Sequence, residues 1–178
     1  MNRTRFVALL GGINVGGHRV TMDRLRALVA DLGHTDVATF IASGNVLFDA
    51  DATCDGDDLA RAIAATLGDA LGYAVPTYVR TADDIRRTAA LRPFGDLADG
   101  STHMVAFCSE PLSPSLSAEL PGGERWHVEG RELHWFIPGR LTSSAITLPK
   151  LVKALGQPAT TRNHTMLRKL APLLSSTT

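Results

Sequence analysis

Three short stretches carry most of the chemistry this sequence offers. The first, Gly11-Gly12-Ile13-Asn14-Val15-Gly16-Gly17-His18-Arg19, is a glycine-rich loop ahead of a helical pattern. Glycines reach backbone angles closed to other residues, and successive amide N–H groups before a helix N-terminus cradle an anion. From Gly12 to Gly17 the spacing is that of a P-loop. His18 and Arg19, however, stand where a P-loop needs Lys and then Ser or Thr for phosphate and magnesium. No dinucleotide fingerprint G-x-G-x-x-G occurs either. What remains is a general anion cradle at Gly12, Asn14, Gly16, Gly17, His18 and Arg19. The competing reading is a tight β-to-α connection in which Asn14 bonds its own loop.

The second stretch, Thr160-Thr161-Arg162-Asn163, precedes the last helical pattern and offers hydroxyls, an amide and a guanidinium together, a set that suits phosphate or carboxylate. Its alternative is a helix cap, with Thr161 or Asn163 accepting from the first turn and Arg162 paired to an acid. The third, Ser43-Gly44-Asn45, has the composition of a hairpin turn, and Ser43 and Asn45 add polar groups to the same expected cleft. The expectation is a small anionic, phosphate-bearing ligand held between two subdomains by these three stretches.

Catalytic groups are scarce. Cys54 lies in the acidic run Asp51-Ala52-Thr53-Cys54-Asp55, where neighbouring carboxylates blunt a thiolate, and Cys108 reads as a buried strand residue. There is no G-x-S-x-G elbow, H-E-x-x-H or paired CxxC. No catalytic residue, metal or cofactor is expected. One further cluster depends on register. If Gly130-Arg131 is a two-residue turn, Glu129 faces Glu132, Val128 faces Leu133, His127 faces His134 and Trp126 faces Trp135. One face is then apolar and the other ionisable, either a divalent-metal face or a solvated one.

The elements that must position these groups follow from period and punctuation. Phe6–Leu10 reads as a strand. A helix capped by Thr21 follows, with Met22, Leu25, Val29 and Leu32 on one face and Gly33 at its end. Strands at Val37–Ala42 and Val46–Phe48, a helix carrying Leu59, Ile63 and Leu67, and a strand at Val75–Arg80 complete a β-α-β-β-α-β order, the ferredoxin-like pattern. A helix from Thr81 to Pro93 leads into a Gly/Asp-rich linker. The order then repeats: strand His103–Cys108, a short helix near Ser113–Leu120, the hairpin, a helix near Leu148–Leu155, extended Ala159–Thr161, and an extra C-terminal helix from Asn163. The fold class is α+β, with two tandem ferredoxin-like subdomains spanning residues 1–93 and 94–178.

Composition sets the outer bounds. The chain has 178 residues, 44% of them hydrophobic, with 18 basic and 18 acidic side chains. Mean hydropathy is near zero, which excludes disorder, coiled coil and collagen. No run approaches the roughly 20 apolar residues of a membrane span, and a cytosolic protein with reduced cysteines is expected. The neutral total hides an asymmetry: residues 1–22 carry +3, residues 133–178 carry +6, and the middle carries −9. Basic ends beside an acidic body fit an anion site. They also keep a nucleic-acid partner open, although the aromatic pattern of an RNA-binding sheet is missing from Asn45-Val46-Leu47-Phe48. A protein-interaction module built on the hairpin or the last helix is the remaining class.

Ala8–Gly17, Ser43-Gly44-Asn45-Val46 and Ala159-Thr160-Thr161-Arg162-Asn163, in this order and spacing, resemble the bacterial domain-of-unknown-function family 1697 over essentially the whole chain. The resemblance implies a cytosolic α+β protein of two ferredoxin-like subdomains and no established activity. The chain departs from it at two positions. Gly11 stands where the family usually carries Arg, which shifts the weight of an anion site to Arg162. His164 stands where it usually carries Trp, exchanging an aromatic plate for a titratable ring.

Overall fold

The computed structural model describes residues 2–41 and 44–174. It is a mixed α+β protein, with five α-helices and two antiparallel sheets among the described residues. The chain divides into two compact units: residues up to Arg86 joined by the chain from Leu170 onward, and Arg87–Lys169. Among the described residues no helix is long and apolar enough to cross a membrane.

In the first unit β1 (Arg3–Leu10), α1 (Met22–Ala30), β2 (Thr35–Thr39), β3 (Asn45–Asp51), α2 (Gly56–Leu71) and β4 (Thr77–Thr81) form a sheet of order β2-β3-β1-β4. Alternation in β1 and β3 sends Phe6, Ala8, Leu10, Val46, Phe48 and Ala50 to one face, where Leu25, Val29, Leu59, Ile63 and Leu67 of α1 and α2 cover them. The first helix starts at the cap the sequence indicates, and the second starts at a capping aspartate. Thr21 accepts from the Arg24 amide at 3.2 Å, and Asp55 accepts from the amides of Asp57 and Asp58. β2 begins two residues earlier than the apolar run suggests, with an irregularity between Thr35 and Ala38 and Asp36 at φ +49°.

Helix α3 (Ala82–Ala90) leads towards the second unit, whose sheet runs β6-β7-β8-β5-β9. Its strands are β5 (Thr102–Cys108), β6 (Ala118–Glu119), β7 (Arg125–Glu129), β8 (Glu132–Ile137) and β9 (Ala159–Asn163). The hairpin register is the one read from Gly130-Arg131, with Trp126 opposite Trp135, His127 opposite His134 and Glu129 opposite Glu132. The apolar face, Met104, Ala106, Cys108, Trp126, Leu133 and Trp135, packs under Leu151 and Leu155 of α4 (Leu148–Leu155).

The helix expected near Ser113–Leu120 is not formed. Ser113 and Pro114 start only one 3-10 turn, Pro114–Leu116, and Ala118–Glu119 then pairs with Arg125–Trp126 as β6. Ser115 and Ser117 are weak helix formers beside an open strand edge, and the ladder wins. The last helix, α5 (His164–Leu170), is shorter than the apolar stripe implies and ends in a 3-10 turn over Ala171–Leu174.

Close approach explains one loop glycine. Gly44 sits at φ +77°, and a Cβ there would lie 3.1 Å from Leu10 Cβ and 3.3 Å from Ile13 Cβ. Gly44→Ala is expected to cost about 2 kcal/mol, combining backbone strain with overpacking, and urea unfolding checks it.

Candidate functional site

Glycines 12, 16 and 17 all have positive φ, and a Cβ added to any of them meets nothing within 4 Å, so backbone angle and not tight packing selects them. Asn14 closes the loop by accepting from the Val20 amide at 2.9 Å. His18 stacks on Tyr73, ring centroids 3.8 Å apart, and Arg19 is exposed. Asn45 is fully buried, and its side-chain amide donates to Phe40 O at 3.0 Å, tying the hairpin shut. Ser43 lies outside the described residues. These positions belong to the first unit, and Thr160–Asn163 to the second.

Strand β9 distributes the C-terminal motif over two faces. It runs to Asn163, further than Thr161, so Thr160 and Arg162 share a face opposite Phe107 and Val105 and are buried. Arg162 donates from Nη1 to Thr160 Oγ1 and Thr161 O, both at 2.9 Å, and burial lowers its pKa to about 10. Asn163 is exposed, and its Oδ1 accepts from the Thr165 amide at 2.8 Å, a turn that leads into α5.

The ionisable hairpin face divides: Glu129 is exposed and His127 half-exposed, whereas His134 is drawn into the interior. His134 is fully buried, and among the described residues no group of three or more His, Cys, Asp or Glu is placed to hold a metal ion. Instead the face collects imidazoles. His103, at the start of β5, puts Nε2 2.9 Å from His134 Nδ1. His164, at the start of α5, stacks on His103 with centroids 4.0 Å apart and planes 17° from parallel, and Phe94 meets His103 edge-on at 5.2 Å. Desolvation, with the neighbouring imidazoles adding to it, holds His103 and His134 far below the usual histidine range, each at about 3. The pKa of His164 is lowered by burial and by the charges of Arg168 and Arg92, against backbone carbonyls of Thr88 and Leu91 that accept from its ring.

His103 and His164 of this cluster line a cavity of about 420 Å³ in the second unit. Arg92, Phe94, His103, Asn163, His164, Thr165 and Arg168 line it, with Asp96 and Asp99 on the linker side. Arg92 and Asp96 approach to 3.3 Å, with both side chains well exposed, so this pair is weak and the guanidinium is available to a ligand. The cavity therefore carries two guanidiniums, Arg92 and Arg168, and two carboxylates, Asp96 and Asp99. Of the expected site residues that the structure describes, only Asn163 lines it. Arg92, His103, His164, Thr165 and Arg168 were not singled out as ligand residues by the sequence, because they converge only through the pairing of β5 with β8 and β9, strands far apart in the chain.

A conserved bacterial protein from Streptococcus pneumoniae, SP0830, has the same fold: TM-score 0.74 at 23% identity, over 97% of this chain and 99% of that one. No curated protein matches the sequence. The family model described as "Protein of unknown function (DUF1697)" matches residues 3–134, and the chain belongs to that family.

Proposed function

We propose that the protein binds a small anion bearing a phosphate or carboxylate group in the cavity of the second unit. The observation that carries this reading is the convergence of Arg92 and Arg168 on one polar cavity, close enough that both charges depress the pKa of His164. Asn163 and Thr165 supply neutral polar groups beside them: with the Asn163 Oδ1 committed to the Thr165 amide, its NH2 is a donor on the wall. A cavity of this size fits a small metabolite and not a polymer groove. The strand orders β2-β3-β1-β4 and β7-β8-β5-β9, each with its opening strand next to last, support reading the two units as ferredoxin-like, with α4 the helix of the second.

Inorganic phosphate is the first probe. At a hundredfold excess over Kd the protein gains about 2.7 kcal/mol of stability, read as a rise in Tm. Arg168→Ala, which removes one cation from the cavity, is expected to weaken phosphate binding about tenfold. Equal binding by wild type and Arg168→Ala would overturn the reading. Arg162→Ala is not a clean test, because the side chain is buried among its own strand's acceptors and its loss costs stability directly.

A further inference from the structure

Two imidazole nitrogens of the cluster, His134 Nε2 and His164 Nε2, are sealed from solvent with no hydrogen-bond partner among the described residues. The backbone carbonyls of Thr88 and Leu91 act on the His164 ring, and with Nε2 sealed and unpartnered they favour the Nδ1–H form, which leaves Nε2 a bare lone pair. For the His103–His134 pair there are two assignments. If His103 donated from Nε2, His134 would carry its proton on Nε2, an N–H buried without an acceptor. If His134 donates from Nδ1, its sealed Nε2 is again only a lone pair, and every N–H of the cluster has a place. An orphaned donor is the rarer and more costly of the two. The second assignment puts the proton of His103 on Nδ1. Among the described residues that nitrogen has no hydrogen-bond partner and it is not sealed, which leaves it as the nitrogen His103 can offer to the cavity it lines.

We infer that His103 is a ligand-binding residue, a neutral imidazole held in its Nδ1–H form by the positioning residue His134 so that it donates a hydrogen bond to an oxygen of the bound anion. The inference rests on the anion-site reading above and adds a third donor to Arg92 and Arg168. It also narrows the ligand. A neutral N–H donor beside two guanidiniums asks for acceptor oxygens, so these three groups select the ionised oxygens of a phosphate or carboxylate. Depressed imidazole pKa values keep this donor neutral throughout the physiological range.

Ring 1H–15N correlation spectra of the full-length protein at pH 7.5, recorded with and without inorganic phosphate, test it. The expected result is a proton on His103 Nδ1, a bare Nε2, and a shift of the Nδ1 signal on phosphate addition. His134→Leu should weaken phosphate binding about tenfold and mix the His103 tautomers. His134→Asn, whose amide NH2 takes the place of Nδ1–H, should restore both. A proton on His103 Nε2, or phosphate binding that Arg168→Ala weakens while the His103 Nδ1 signal stays still, overturns this inference and leaves the anion site standing. No binding of phosphate by the wild type overturns both.

Discussion

Moving from pH 6.5 to pH 5 is expected to remove about 4 kcal/mol of stability, and the second unit is where the loss originates. His103 and His134 have pKa values of about 3 in the folded protein and about 6.5 when unfolded. Between these values the unfolded chain binds more protons, so stability is complete above pH 6.5 and falls as pH drops toward 3. At pH 5 each imidazole contributes about 2 kcal/mol to the loss, since one pH unit inside the window is worth about 1.4 kcal/mol. The lowered pKa values of His34 and His164 act in the same direction. Asp51, an exposed carboxylate whose pKa is lowered by hydrogen bonds from Thr53, acts only below the ordinary carboxylate range and leaves this window untouched.

Urea unfolding at a series of pH values reads the effect as a falling midpoint at constant slope. In His134→Asn the dependence between pH 6.5 and 5 should drop to about half, because one of the two groups no longer titrates. A wild-type midpoint that stays constant across the window would mean that the imidazoles are hydrated in solution and the packing around them is looser than the structure shows.

The sequence made the local features legible and left the long-range ones dark. Thr21 and Asp55 cap where their side-chain chemistry says they should, and Gly130-Arg131 sets the hairpin register through its turn alone. Arg162 shows the limit. Two extra residues of strand, paired to β5, turn its side chain to the buried face, and nothing between Ala159 and Asn163 announces where that strand stops. His134 is a similar case. Its opposition to His127 follows from the hairpin, whereas its contact with His103 needs the β5–β8 pairing and that with His164 needs the start of α5 to lie on the same face. Arg92 and Arg168 read as ordinary solvated charges until the fold brings them to one cavity.

Arg5→Met is expected to destabilise the protein by about 3–5 kcal/mol, an effect as large as losing a core aromatic. Arg5 and Asp49 are direct partners across the β1–β3 ladder, joined Nη1 to Oδ1 at 3.0 Å, with side chains only 11% and 9% exposed. The same Nη1 donates to Asp36 O at 2.8 Å, which ties the irregular start of β2 to the sheet. Removing the guanidinium leaves the Asp49 carboxylate desolvated and without its cation, and that penalty, not the value of the pair, dominates the single variant. Replacing both groups with apolar residues of similar volume removes the penalty, so Arg5→Met with Asp49→Leu should lie within about 1 kcal/mol of wild type. The exposed pairs Arg26–Asp23, Arg61–Asp58 and Arg86–Asp83 provide the contrast, each worth well under 1 kcal/mol and screened by salt. A double-mutant cycle in urea measures the Arg5–Asp49 coupling. Additive single and double variants would show that water reaches the pair and that the ladder holds this register without it.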